Sequence, residues 1–152
     1  DKGMIQLLYQ ASQAGVKIDL LVRGMCCLRP GVPGVSDNIK VTSIVGRFLE
    51  HSRIFYFRNG GEEEVYVGSA DLMPRNIDRR VEILFPVQDS RFIKHLRDEV
   101  LATYLADAAK ARYLQPDGSY TRPKKSERES GLNSQARLLM HRPVDSKEKE
   151  KK

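Results

Sequence analysis

His51-Ser52-Arg53 is the first place in this 152-residue chain where residue types and spacing could do chemistry. An imidazole exchanges a proton near neutral pH. A guanidinium offers a rigid fork of donors that fits phosphate oxygens two at a time. If His51 opens a strand running through Phe57, positions 51 and 53 project from one sheet face, because side chains alternate along a strand. Asn59-Gly60-Gly61 lies between two alternating stretches, 53–58 and 64–69, and that is a hairpin signature. Such a hairpin returns Gly68-Ser69 to the sheet end where His51 sits. By itself the triplet also reads as a polar strand edge.

Glu82 stands among apolar neighbours in Val81-Glu82-Ile83-Leu84-Phe85. It either faces solvent from a half-exposed strand or is buried with a partner, since a bare buried charge costs several kcal/mol. A histidine is a natural partner, because a carboxylate fixes the ring's tautomer and stabilises the imidazolium. In Leu21-Val22-Arg23-Gly24, an arginine follows a strand at the mouth of a Gly/Pro loop, 23–38. Open α/β sheets collect ligands at such carboxyl ends, although Arg23 also reads as a plain strand-terminating residue. Backbone N–H groups near Gly31, Gly34 and Ser36 could form an anion-holding concavity. No Walker A sequence occurs. His95 and His141 lie in helical, polar settings and receive no role. Cys26 and Cys27 are neighbours, build neither a disulfide framework nor a zinc site, and read as packing residues. A reducing, cytoplasmic setting is the matching expectation.

The elements that must position these groups follow from periodicity. Apolar residues at 4, 5, 7, 8 and 11 predict a helix over 4–14, stopped by Gly15. Residues 16–22 read as a buried strand, 39–44 as another, and 45–51 as a short turn or helix. After the hairpin, a loop containing Pro74 leads to a strand over 79–85, closed by Pro86. A helix over 90–107 takes Asp89 as its N-cap. Asp117-Gly118 marks a tight turn, and 134–140 a last short helix. This order specifies a layered α/β or α+β domain.

Charge is unevenly spread. The chain carries net +6, but residues 1–115 hold 16 basic and 14 acidic side chains, while 116–152 hold 10 and 6. The excess therefore sits in a polar, basic tail expected to be partly ordered at most and to fray at its lysine-rich end. Between 23 and 80 the basic residues are Arg23, Arg29, Arg47, Arg53, Arg58, Arg75, Arg79 and Arg80, with Lys40 the one lysine. That bias points to phosphate, although solvated surface ion pairs account for it too. No window approaches the ~18 consecutive apolar residues that a membrane-spanning helix needs. The start, Asp1-Lys2-Gly3-Met4, has neither a signal pattern nor an initiator Met, and we read the chain as a piece of a longer protein.

Four ordered stretches carry a resemblance. They are Ile18-Asp19-Leu20-Leu21-Val22-Arg23-Gly24-Met25-Cys26, Leu28-Arg29-Pro30-Gly31-Val32-Pro33-Gly34, Leu49-Glu50-His51-Ser52-Arg53, and Gly68-Ser69-Ala70-Asp71-Leu72-Met73-Pro74-Arg75-Asn76-Ile77-Asp78. Together they closely resemble the carboxyl-terminal catalytic domain of bacterial polyphosphate kinases, from about residue 4 to about residue 114. The resemblance implies an α/β, phospholipase-D-like domain with a central mixed β-sheet flanked by helices, over 1–115. Residues 116–152 form the tail beyond it. His51, Arg53 and Gly68-Ser69 then resemble half of that superfamily's His-x-Lys…Gly-Ser constellation, with arginine in place of lysine.

The family reversibly transfers the terminal phosphate of ATP to inorganic polyphosphate through a phosphohistidine. That histidine and the Mg2+ ligands lie in a preceding domain, so the resemblance implies no metal site in this chain and no activity for the chain alone. By resemblance, Arg23 and His51 contact the nucleotide, Arg53 and Ser69 join them in binding ATP or polyphosphate, and Glu82 orients a catalytic histidine. The implied partners are ATP or ADP, polyphosphate, the preceding domains and further copies in a homo-oligomer. Nucleic acid is not expected, since the basic stretches lack interleaved aromatics. Membrane association is expected to be peripheral at most. Two other readings remain at this stage: a phospholipase-D-type phosphodiesterase or nuclease half-site, and a non-catalytic polyphosphate-binding module.

Overall fold

A computed structural model describes residues 1–129 and 131–140. The first helix, α1 (Lys2–Gln13), starts where the Asp1 carboxylate accepts from the Met4 amide at 3.1 Å. It stops at Gly15, whose φ of 88° is one that L side chains avoid. There the Gly15 and Val16 amides bond back to the carbonyls of Ser12 and Ala11, closing the last turn. The strands β1 (Ile18–Leu21) and β2 (Ile39–Ile44) run parallel, with Ile18 opposite Ile39 and Leu21 opposite Thr42. Ile39 and Val41 of β2 form the core with Leu28 and Leu114, and Ile5, Leu8 and Tyr9 of α1 pack against it.

The hairpin forms as expected. Strand β3 (Arg53–Phe57) pairs antiparallel with β4 (Glu64–Gly68) around a 3-10 turn over Asn59–Gly61. Three further elements follow: α2 (Pro74–Arg79), β5 (Leu84–Pro86) and a helical run of α3 (Ser90–Lys94), a π-helical stretch over His95–Leu101 and α4 (Ala102–Leu105). Asp89 caps α3 by accepting from the Arg91 amide at 2.8 Å. The chain continues through β6 (Ala111–Leu114), β7 (Tyr120–Thr121), α5 (Lys125–Glu129) and α6 (Ser134–Met140).

The α/β class holds, and the strands divide between two sheets. One is mixed, in the order β1-β2-β6-β7; the other is antiparallel, β3-β4-β5. Four local expectations change. Residues 45–51 form an irregular loop without a helical turn. Pro74 opens α2 instead of lying in a loop, at a first-turn position where its missing N–H costs no bond. The strand expected over 79–85 is reduced to Leu84–Pro86, because the Ile83 amide is taken by the Ser69 hydroxyl. β1 is half-buried, because it forms the sheet edge while β2 takes the centre.

The boundary drawn at residue 115 does not coincide with a break in packing. β7 pairs with β6, Leu114 opposite Tyr120. Asp107, 1% exposed, accepts from both the amide and the hydroxyl of Ser134, at 2.8 and 2.6 Å. His141 and the lysine-rich end lie outside the described residues.

Candidate functional site

The parallel pair β1–β2 places two chain segments at one sheet end. Arg23 follows β1, which the Val22 amide holds to the Thr42 carbonyl at 2.9 Å. The 45–52 loop leaves β2 at the same end and carries His51. An Arg23 Nη1 hydrogen bond to the Glu50 carbonyl joins them. Both Arg23 and His51 have exposed side chains.

The hairpin brings in the second half of the site. Arg53 pairs with Gly68 across β3 and β4, so His51 and Ser69 lie just beyond the same hairpin end. His51 is not on the strand, which begins at Arg53, so the two side chains do not share a strand face. Gly68 is required by close approach: a Cβ there would lie 2.2 Å from the Ile83 carbonyl oxygen.

Arg53 is 11% exposed in its side chain and largely committed. Nε and Nη2 donate to the two Asp71 carboxylate oxygens at 3.0 and 3.1 Å, and Nη1 donates to the His51 carbonyl at 2.5 Å. The bidentate Arg53 bond holds the Asp71 carboxyl below the ordinary range, and Arg23 and Arg75 add to this. Arg53 therefore braces the His51 loop as well as supplying charge.

Glu82 meets no histidine among the described residues. Its oxygens accept from the Ser69 hydroxyl and, at 2.6 Å, from Asn76 Nδ2. The Ser69 bond and then the Asn76 bond lower its pKa, with Arg80 and Arg53 contributing charge. The Ser69 hydroxyl also accepts from the Ile83 amide at 3.1 Å. Its proton is thus spent on Glu82 and is not aimed at a phosphate. An open cleft of about 470 Å³ lies alongside, lined by Ser52, Arg53, Gly68, Ser69 and the apolar Ile83 and Phe85.

The loop concavity at 31–36 is also closed to anions. The Gly31 amide bonds the Ser36 carbonyl, Val32 the Ser36 hydroxyl, and Gly34 the Asp37 carboxylate. Cys26 packs against the core, and burial foremost raises its thiol pKa. Among the described residues no group of three or more His, Cys, Asp or Glu side chains could hold a metal ion. The carboxylates at the site, Glu50, Asp71 and Glu82, each already accept hydrogen bonds from neighbouring side chains, so these residues do not fit a Mg2+ site.

Asp71, Asn76 and Gln135 complete the arrangement and escaped the reading of individual residues. Asp71 could have been found as the acid that follows Gly68-Ser69 opposite Arg53. Asn76 is 4% exposed, and no local pattern marks it. Gln135 reaches the 45–52 loop from α6, across 87 residues of sequence.

The fold and site define a mixed α/β domain whose sheet ends gather arginines, one histidine and a Gly-Ser turn. The family described as polyphosphate kinase C-terminal domain 2 matches residues 1–135, and the chain belongs to that family. A polyphosphate kinase of Pseudomonas aeruginosa is 58% identical over 139 residues, covering 91% of this chain and 20% of the relative. Polyphosphate kinase 1 of Chlorobaculum tepidum is 52% identical, covering 97% of this chain and 21% of the relative. The crystal structure of polyphosphate kinase from Porphyromonas gingivalis superposes with a TM-score of 0.83 at 43% identity, covering 91% of this chain and 22% of that one. The chain thus spans about one fifth of the length of these relatives. Nothing in the site favours a phosphodiesterase half-site or a non-catalytic module.

Proposed function

We propose that this chain forms one wall of the phosphotransfer site of a polyphosphate kinase, which moves the terminal phosphate of ATP reversibly onto inorganic polyphosphate. The observation that carries the proposal is the meeting of Arg23 and the His51 loop at the carboxyl end of β1–β2, in a chain of this family.

The phosphohistidine of the reaction belongs to a preceding domain of the same polypeptide. A histidine nucleophile divides transfer between two polyphosphates into two in-line displacements. Each leaving group is a phosphate oxygen of low basicity and needs little acid assistance. The main task is to balance negative charge on the transferring phosphoryl and its neighbours. Arg23 supplies donors for nucleotide phosphate oxygens, and His51 gives a hydrogen bond or a proton beside it. Arg53, held by Asp71, fixes the His51 carbonyl and adds positive charge. Glu82, Ser69 and Asn76 shape the floor next to the hairpin end, and the expected orientation of a histidine by Glu82 would require one from the preceding domain.

Mg2+ belongs with the nucleotide and the preceding domain, since the acids here are already paired, and no step is assigned to it on this chain. A cytoplasmic location and a homo-oligomeric whole protein complete the proposal. No helix among the described residues is long and apolar enough to cross a membrane. The test is to incubate the whole protein with γ-labelled ATP and measure acid-insoluble labelled polyphosphate. Formation that depends on ATP supports the reading; its absence under conditions where the protein is folded overturns it.

A further inference from the structure

The loop that carries His51 is poorly held by burial. Val45, Phe48 and Leu49 are 63%, 45% and 78% exposed. Polar tethers restrain it instead, and beside the Arg23 and Arg53 bonds to the Glu50 and His51 carbonyls the one that reaches its middle is a buried amide. Gln135, 6% exposed, lies in the first turn of α6. Its Oε1 accepts from the Phe48 amide at 3.0 Å, while Nε2 donates to the Phe48 carbonyl at 2.8 Å and to Glu50 Oε1 at 2.9 Å. Both amide hydrogens and the amide oxygen are thereby engaged, three of the four hydrogen bonds that a glutamine side chain can make.

The surroundings are fitted to this amide. A Cβ on Gly46 would lie 2.2 Å from Gln135 Oε1. The Tyr104 hydroxyl takes the same Glu50 carboxylate, and the Glu50 carbonyl receives Arg23. The helix start is itself fixed, since Asp107 holds Ser134 and also accepts from the Lys110 and Ala111 amides at 2.7 and 3.2 Å. Position is therefore passed from the start of β6, through Asp107 and Ser134, to the Gln135 amide and on to the loop.

We infer that Gln135 is a positioning residue for phosphotransfer, acting through residues 48–50 to set Arg23 and His51 against the nucleotide phosphates. The inference rests on the proposed function. Gln135 is buried behind the loop and acts through it. Losing a tether worth about 1.4 kcal/mol of loop order weakens ATP binding about 10-fold.

The test uses the whole protein with Gln135→Ala, Gly46→Ala and both changes together, measuring KM for ATP, kcat, thermal midpoint and hydrogen exchange at the Phe48 amide. Each single change is expected to raise KM for ATP about 10-fold with kcat within about threefold, a pattern of weakened binding and not of lost protein. Exchange at Phe48 should speed up while the protein stays folded at the assay temperature. The double variant should be no worse than the worse single, because alanine at 135 leaves room for the Gly46→Ala methyl.

A Gln135→Ala protein with wild-type KM and faster Phe48 exchange overturns the inference. So does a double variant whose defects multiply. If Gln135→Ala does not fold, Gly46→Ala decides alone, and an unchanged KM there is the contrary result. A wild-type protein that makes no polyphosphate overturns the underlying function and the inference with it; an active wild type with unaffected variants overturns the inference alone.

Discussion

Arg53 grips Asp71 through two parallel hydrogen bonds, Nε to Oδ1 at 3.0 Å and Nη2 to Oδ2 at 3.1 Å, while its Nη1 holds the His51 carbonyl. A single guanidinium thus ties the turn after β4 to the loop before β3. A planar fork meets both Asp71 oxygens side by side and still leaves Nη1 for the His51 carbonyl, a geometry that the compact ammonium of lysine does not reproduce.

Arg53→Lys retains the charge but loses the fork. In the whole protein it should lower kcat/KM about 10-fold, and Asp71→Asn should do the same by releasing the guanidinium. A cycle of Arg53→Ala and Asp71→Ala in thermal or denaturant unfolding should give a coupling of ~1 kcal/mol, discounted for the partial exposure of Asp71. A coupling near zero would mean that the pair does not brace the site.

Gly68→Ala places a methyl against the Ile83 carbonyl. Backbone must move, so the expected loss is ~1–3 kcal/mol, or a thermal midpoint lower by roughly 2–12 °C for a chain of this size. An unchanged midpoint would show that β4 and the 82–83 segment are not so closely packed.

The Asp89 carboxyl is drawn down to about 2, first by the Arg91 side chain and then by the Arg91 amide. A folded value below the ordinary one near ~3.9 means that this cap contributes fully above about pH 4. The contribution is lost as pH falls through 2. A carboxyl-carbon NMR titration should give a midpoint near 2, and Asp89→Asn should lose stability relative to wild type at pH 6 but converge with it at pH 2. A midpoint near the ordinary value would contradict the cap. The same sign applies to Asp71, which Arg53 lowers.

The chain by itself should acquire no label from γ-labelled ATP, because the proposed phosphohistidine lies in a preceding domain. Labelling of the isolated, folded chain would assign that chemistry to one of its own histidines instead.

What was legible in the sequence is local. Alternation on either side of Asn59-Gly60-Gly61 gave away the hairpin, and the hairpin delivered Gly68-Ser69 to the start of β3. Asp89 before an apolar 3.6-residue stripe marked the start of α3. The apolar run at 81–85 misled because it resembles a strand, whereas a side chain fourteen residues earlier, Ser69, takes the Ile83 amide. Glu82 was read as facing solvent or, if buried, as needing a partner such as a histidine, and its actual partners Ser69 and Asn76 are fixed by tertiary packing. The division into two sheets and the reach of Gln135 back to Phe48 depend on contacts far apart in sequence, which periodicity does not encode. The composition of 116–152 suggested solvent, but Asp107 draws Ser134, at the start of α6, into burial, and Gln135 beside it is buried too.

The central claim is that Arg23 and His51 contact the phosphates being transferred. It is tested most directly by polyphosphate synthesis from ATP in the whole protein carrying Arg23→Ala or His51→Ala. Each should fold with a near-wild-type thermal midpoint, since both side chains are exposed, and each should lower kcat/KM by roughly 10²-fold or more, the scale of losing a key donor. Wild-type turnover in either variant would contradict the account.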